Sequence, residues 1–554
     1  MSMSPDLIIL NGKLITFDPA RPRAEALAIT AGRIEAVGQN DEISELASPD
    51  TRRFDAQGAT VLAGFIDSHV HLFCGSVEMG YLDVHGVQGE AALTHRARTW
   101  AAEHPDETIC FAVQADYTML GGHGMTDRHA LDRVLPDRPF AMFAADHHTI
   151  WANTRALEMA GILKGGPVDA GAMIVMGKDG TATGELREPS AYAHVLKLTR
   201  HAGRDLEGLT MGADPIPPAT GAERVQDKSA IARGMKHCAK QGITGLHNMD
   251  GNVYQLELLT EMEADGTLLC RTEVPYHYKS FDTLDRFEEA EEMRARYKGD
   301  YVRCNRVKMF MDGVIDSQTA LMIEPYPGTD HIGDAVFEPE HFNAACIRAD
   351  AMGLQIATHA IGDLAIRRTL DGYEAARQAN GARDSRHRIE HLEVMHPDDL
   401  PRLKDLGVVA SVQPGHAPYG HYFTSKPEPG VLHDYQIERA FAWRDIRATG
   451  APMAFSTDWP VMPVEVMDNI RSAIAPKTDL GWCDHTQSLI ETLESYIAVN
   501  AWLEFNEHRK GRLAAGMLAD VVVMTHDIEA LPPDEIHQAG AALTICGGRT
   551  TWEA

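Results

Sequence analysis

Val61-Leu62-Ala63-Gly64-Phe65-Ile66-Asp67-Ser68-His69-Val70-His71 is an apolar run that ends in two histidines. It reads as a buried β-strand, and the chain then breaks into Cys74-Gly75-Ser76. Alternate side chains of a strand share a face, so His69 and His71 point the same way from adjacent pleats. Two imidazoles so placed can reach one metal ion. They can equally be a hydrogen-bonded pair in a core. The choice depends on whether the rest of the chain supplies further ligands.

Downstream, apolar strands alternate with helical stretches, the pattern of βα units. The candidate strands are Val61–His69, Ile243–His247, Leu268–Tyr276, Asn305–Met311, Leu354–His359, His387–Leu392, Val408–Gln413 and Pro452–Asp458. Pro339–Met352, Ala365–Ala379 and Pro397–Leu406 are helical segments between them. Eight such units predict a (β/α)8 TIM-like barrel over residues 61–509. The count requires residues 73–230 to be an insertion after barrel strand 1, expected as a subdomain over the active site. An alternative numbering takes Phe140–Ala145 as a barrel strand.

Both ends of the chain are β-rich. Asp6–Leu10, Lys13–Phe17, Ala26–Thr30 and Arg33–Val37 are separated by Asn11-Gly12 and Ala31-Gly32 turns, and Ala519–Met524 and Ala542–Cys546 match them in character. Residues 1–60 and 510–554 are therefore expected to form one small composite β-sandwich domain. The 554 residues are 44% hydrophobic, enough for a large core, and carry a formal net charge of −29. That charge argues against nucleic acid or an anionic membrane as partner. Neither a secretory signal nor a membrane span is evident. The eight cysteines lack paired spacings, which suits reduced thiols and a cytoplasmic location.

Ligand-type residues recur at the C-terminal ends of the predicted strands, where a barrel builds its active site. They are His69 and His71 on strand 1, Lys308 on strand 4, His359 on strand 5, His391 on strand 6 and Asp458 on strand 8. Each alone has a structural explanation: core histidine, ion pair or helix cap. Jointly, they occupy the same rim from five strands.

At Gly64–His71, Val307–Gly313, Thr358–Asp363, Arg388–His391 and Ser456–Val461 the chain resembles the amidohydrolase superfamily of metal-dependent hydrolases. Within it the resemblance is to the amidohydrolase family 3 branch that includes N-substituted formamide deformylases. Weaker matches lie at Trp151–Leu157, Thr183–Glu188 and Gly516–Val521. One departure is Asp146-His147-His148, where His147 replaces a glycine usual in such relatives.

The resemblance implies a binuclear centre, usually of zinc. One divalent ion would take His69, His71 and Asp458, and the other His359 and His391. Lys308 would bridge them as a CO2-derived Nζ-carboxylate, since an ammonium cannot ligate a cation. A metal-bridging hydroxide would attack an amide-type carbonyl, with Asp458 as catalytic base and acid. Asp312, Gln413, His416 and His148 are the expected substrate contacts. Asp67 is expected to hydrogen-bond a ligand imidazole. Arg306 shares a strand face with Lys308 and has no evident partner.

The expected substrate is a small N-formyl or N-acyl amine. Cyclic amides, carbamates and ureas are alternatives. A mononuclear deaminase is a rival, but such relatives place a Glu soon after the strand-5 His and lack the strand-4 lysine. Here Ala360-Ile361-Gly362-Asp363 follows His359. A non-catalytic scaffold on the same fold is the most remote alternative. Pairing into a homodimer, common among large barrels, stays open.

Overall fold

The apolar run around Gly64 forms two strands rather than one. Thr60–Ala63 and Phe65–Val70 are fully buried, but they belong to different sheets. Gly64 is where the chain passes between them. A Cβ there would stand 2.3 Å from the Thr244 side chain, so only glycine allows this approach to the neighbouring strand.

The computed structural model describes residues 4–122, 125–145, 147–168, 172–315, 317–418, 420, 431–477, 482 and 484–554. His123, Gly124, Asp146 and Cys483 are among the residues outside them. The chain divides into two compact units, Met1–His71 with Met235–Ala554, and Leu72–Gly234.

In the first unit, parallel strands follow one another in chain order. They are β1 (Phe65–Val70), β2 (Ile243–Asn248), β3 (Arg271–Glu273 and Tyr276–His277), β4 (Val302–Arg303 and Arg306–Phe310), β5 (Gln355–Ala360), β6 (Arg388–His391), β7 (Val409–Val412) and β8 (Met453–Phe455). Each pairs in parallel with the next. Past the end of β8, Asp458 N–H donates to His69 O at 2.9 Å and His71 N–H to Trp459 O at 2.7 Å, linking the chain back to β1. Pro275, which lacks an N–H, stands in the break of β3.

Helices Val253–Ala264, Phe287–Arg296, Pro339–Ala351, Asp363–Asn380, Leu400–Leu406 and Trp443–Thr449 connect successive strands. Parallel pairing requires such crossovers. Asp363–Asn380 packs Ala365, Ile366, Leu370 and Tyr373 inward at helical spacing.

The chain ends contribute two further sheets to this unit. One has the order Arg33–Gly38, Ala26–Thr30, Leu7–Leu10, Arg52–Asp55. In the other, Thr60–Ala63 pairs antiparallel with Val521–Met524, joining N- and C-terminal segments.

The second unit is built on a six-stranded sheet ordered Met173–Met176, Ala182–Arg187, Thr149–Ala152, Phe140–Ala144, Cys110–Ala115, Leu82–Asp83. Phe140–Ala144 therefore belongs to this sheet. Side chains alternate between its faces: Phe111, Val113 and Phe143 enter one apolar cluster, and Cys110, Ala112 and Met142 the other. Among the described residues no helix is long and apolar enough to cross a membrane.

Candidate metal centre

The ends of β1, β5 and β6 and the segment after β8 bring five side chains together: His69, His71, His359, His391 and Asp458. His69 Nε2 and His71 Nε2 stand 3.4 and 3.3 Å from Asp458 Oδ1, and His391 Nδ1 stands 3.9 Å from Asp458 Oδ2. The His69 ring lies 5.0 Å from that of His391, and the His359 ring 4.6 Å from His391. His69, His391 and Asp458 each offer a ligand atom within 4.8 Å of the others. His359 differs: its Nε2–H donates to Gly313 O at 3.0 Å. It would have to release that carbonyl, or use Nδ1, to hold an ion.

Two of these residues sit in unusual backbone. His391 and Asp458 have φ of 76° and 64°, the left-handed region that L-residues rarely adopt. Asp67 fixes the chain around Asp458, because its carboxylate accepts from Thr457 N–H at 3.0 Å and Thr457 Oγ1–H at 2.6 Å. The expected bond from Asp67 to an imidazole is not made; it reaches only the His69 backbone N–H, at 3.4 Å.

The imidazoles are oriented by other groups. His69 Nδ1–H donates to Glu390 Oε2 at 2.7 Å, and Glu390 is itself clamped by Arg388. Arg388 also donates to Ser68 O and Ser411 Oγ. His391 Nδ1–H donates to Gln413 Oε1 at 2.9 Å, and Gln413 Nε2–H to Ser456 Oγ. His416 bridges two carboxylates, with Nε2 at 3.2 Å from Asp458 Oδ2 and Nδ1 at 3.4 Å from Glu393 Oε1.

The electrostatics suit a cation. Burial drives His69 down to about 4 and His359 to about 3, and His391 lies well below its ordinary value. All three are thus neutral, the ligand form. His71 is the exception, raised to about 9 because Asp250 and Asp458 hold its proton against the burial penalty. That proton stands where a cation would. Burial lowers the Lys308 ammonium to about 8, against the pull of Glu390 and Asp458. Among the described residues, Lys308 Nζ is buried without a hydrogen-bond partner, and His71 Nδ1, Asp250 Oδ1, Asp458 Oδ1 and His416 Nε2 make only ion-pair contacts of 3.2–3.4 Å that fall short of hydrogen-bond geometry. A buried polar atom left in this way is costly, and a shared cation would satisfy several at once. The residues present fit a metal centre.

The other expected contacts have partners of their own, and Asp312 Oδ1 also stands 3.7 Å from His359 Nε2. Asp312 accepts from the backbone N–H groups of Leu321, Ile361 and Gly362, which makes it a clasp between loops. Gln413 holds His391, as above. His148 belongs to the second unit, where it meets Glu188 at 3.2 Å. Asp250 and Glu390 are the residues that motif reading passed over. Asp250 sits two positions past β2 at the same rim, and Glu390 lies inside the Arg388–His391 motif.

The sequence model of the Amidohydrolase family, family 3 branch, matches residues 52–552. The chain belongs to the amidohydrolase family. It is 27% identical over 561 residues to "Putative amidohydrolase YtcJ" of Bacillus subtilis (strain 168), covering 98% of each chain. It is 25% identical over 571 residues to the N-substituted formamide deformylase of Arthrobacter pascens, covering 100% of this chain and 99% of that one. A crystal structure of an uncharacterized metal-dependent hydrolase from Pyrococcus horikoshii OT3 superposes with a TM-score of 0.69 at 23% identity, covering 93% and 96%. This amidohydrolase thus has the TIM-like α/β fold of its family. It is a metal-dependent hydrolase acting on C–N bonds of small molecules.

Proposed function

We propose that the chain hydrolyses an N-formyl or N-acyl amine at a binuclear, zinc-type centre held by His69, His71, Lys308, His359, His391 and Asp458. The observation that carries this reading is the convergence of His69, His71, His391 and Asp458 around buried atoms that lack hydrogen-bond partners. The similarity to a formamide deformylase along the whole chain supports the substrate class. Lys308 suits carboxylation because only a neutral amine adds CO2, and burial brings it near that form. We read β1–β8 as one closed barrel, the terminal sheets as a sandwich, and residues 73–230 as an insertion. Among the described residues the seven buried cysteines form no disulfide, which suits a cytoplasmic setting.

When bound, the ions would polarise the substrate carbonyl and lower the pKa of water, supplying a nucleophile at neutral pH. The chain's own residues do the rest. Asp458 accepts the proton lost by the attacking water and delivers it to the leaving nitrogen as the C–N bond breaks. Its carboxylate lies well below its ordinary value, against the burial penalty, because His416 and His71 hold protons beside it. Glu390 and Gln413 keep Nδ1 of His69 and His391 protonated, which leaves Nε2 of each as the donor atom.

The test is metal analysis of purified protein together with a panel of N-formyl, N-acetyl, carbamate and cyclic amide compounds. Two equivalents of metal and preference for the formyl or acyl amines are expected. In Lys308→Ala, turnover and one equivalent should be lost. Near-normal turnover in that variant would sink the binuclear reading. One equivalent in the parent, with release of ammonia from an aminated ring, would turn it into the deaminase.

A further inference from the structure

In the second unit, Cys74, Glu78 and His147 each present a ligand atom within 4.8 Å of the others. We propose that they form a separate binding site for a divalent transition ion, zinc by preference. Cys74 and Glu78 are one turn apart on the buried helix Leu72–Glu78, so they share a face. His147 comes from the turn between Phe140–Ala144 and Thr149–Ala152.

Both donors aim at one atom. Cys74 Sγ lies 3.5 Å and His147 Nε2 2.5 Å from Glu78 Oε1. Where two protons converge on one carboxylate oxygen, a cation can replace both. Zinc bonds of about 2.0–2.3 Å to N, O and S imply ligand–ligand edges of about 3.3–3.6 Å. The sulfur–oxygen edge already has that length, and the His147 edge opens once its proton leaves. Thiolate, carboxylate and neutral imidazole together carry two negative charges, which matches a divalent ion. The mixed soft and hard donor set favours zinc over magnesium or calcium.

The backbone supports the same reading. His147 has φ of 62°, a conformation natural to glycine and disfavoured for an L-residue. The ring is nevertheless held in place: Phe143 packs against it edge-on at 4.8 Å, and Tyr192 O–H donates to the His147 carbonyl at 3.1 Å. The surrounding field is acidic as well. Asp205 is pushed up to about 7 by burial, with Glu78 and Asp227 adding to the effect. The basic groups beside Asp205 are themselves paired, Arg204 with Asp227 and Glu223 and His201 with Asp227.

Cobalt substitution of the full-length protein separates this site from the other. The centre proposed above contains no cysteine, so thiolate-to-cobalt charge-transfer absorption in the near ultraviolet does not arise there, and Cys74→Ser distinguishes Cys74 from the seven other cysteines. The band is expected in the parent protein and in Asp458→Asn, absent in Cys74→Ser, and at least tenfold weaker in affinity in His147→Gly. Glycine suits the backbone at position 147, so that variant should fold even if Cys74→Ser does not. Absence of the band at saturating cobalt would overturn the site. So would its persistence in Cys74→Ser, unchanged affinity in His147→Gly, or its loss in Asp458→Asn.

Discussion

Two clusters in the first unit bring ligand-type side chains close enough to share an ion. One is His69, His391 and Asp458, and the other is His247, Glu273 and Glu504. Both are buried, and both combine imidazole with carboxylate. They differ in what surrounds them. In the second cluster the two carboxylates face three cations: Arg303 and Arg306 meet Glu273, and Arg303 and Lys510 meet Glu504. Arg388 adds a fourth cation 3.1 Å from His247. Burial together with these cations holds His247 well below its ordinary value. A divalent ion would enter a field that is already positive. At the strand ends the balance is reversed, since Asp458 and Asp250 keep a proton on His71. Ligand geometry is therefore not sufficient to make a metal site. The sign of the surrounding charge decides.

The largest expected effect breaks the first cluster. Asp458→Asn should lower kcat by about 10²–10⁴-fold, the usual contribution of a positioned acid–base group. It should also reduce bound metal, as read by elemental analysis. The matching change in the second cluster should act on stability instead. Glu504→Gln leaves Lys510 and Arg303 short of a partner, and breaking a buried pair costs about 3–5 kcal/mol. Denaturant melts should show that loss while metal content stays as in the parent. A fall in bound metal in Glu504→Gln would erase the distinction between the clusters.

The sequence carried the rim residues because strand ends can be read from apolar periodicity and ligand types recur there. The structure gathers His69, His71, His391 and Asp458 at that rim. What could not be read was how each polar side chain is satisfied. Gln413 and Asp312 have the look of pocket residues at strand ends. Their partners, the His391 ring and three backbone N–H groups, lie up to 50 residues away. Arg306 seemed unpaired because Glu273 sits on the preceding strand, 33 residues back. The break at Gly64 was also hidden. Thr60–Ala63 and Phe65–Val70 are both apolar, and only the close approach of Thr244 shows why the chain changes sheets there.

A subtler variant probes how far the first cluster depends on its supporting groups. Glu390→Gln keeps the shape but weakens the acceptor for His69 Nδ1–H. Metal affinity should fall by about 10–100-fold, the usual effect of losing a carboxylate behind a ligand imidazole. Glu273→Gln, a comparable change in the second cluster, should leave metal affinity untouched in the same titration. Equal effects would mean that the two carboxylates serve one site.

The smallest effect is a pH dependence of stability arising from the second cluster. Burial lowers Lys510 from 10.5 to about 8 in the folded chain, against the pull of Asp520. The unfolded chain keeps that proton until 10.5, so between about 8 and 10.5 it binds more protons than the folded one. Stability from this group therefore rises with pH across that window and is flat below it. A melting temperature followed from pH 7.5 to 10 should carry an upward contribution of a few degrees, opposing the general alkaline loss. Lys510→Met should remove that contribution and leave Glu504 facing Arg303 and His247. If the parent and Lys510→Met have parallel profiles, Lys510 is not the excess charge that keeps the second cluster free of metal. Its exclusion would then rest on Arg303, Arg306 and Arg388.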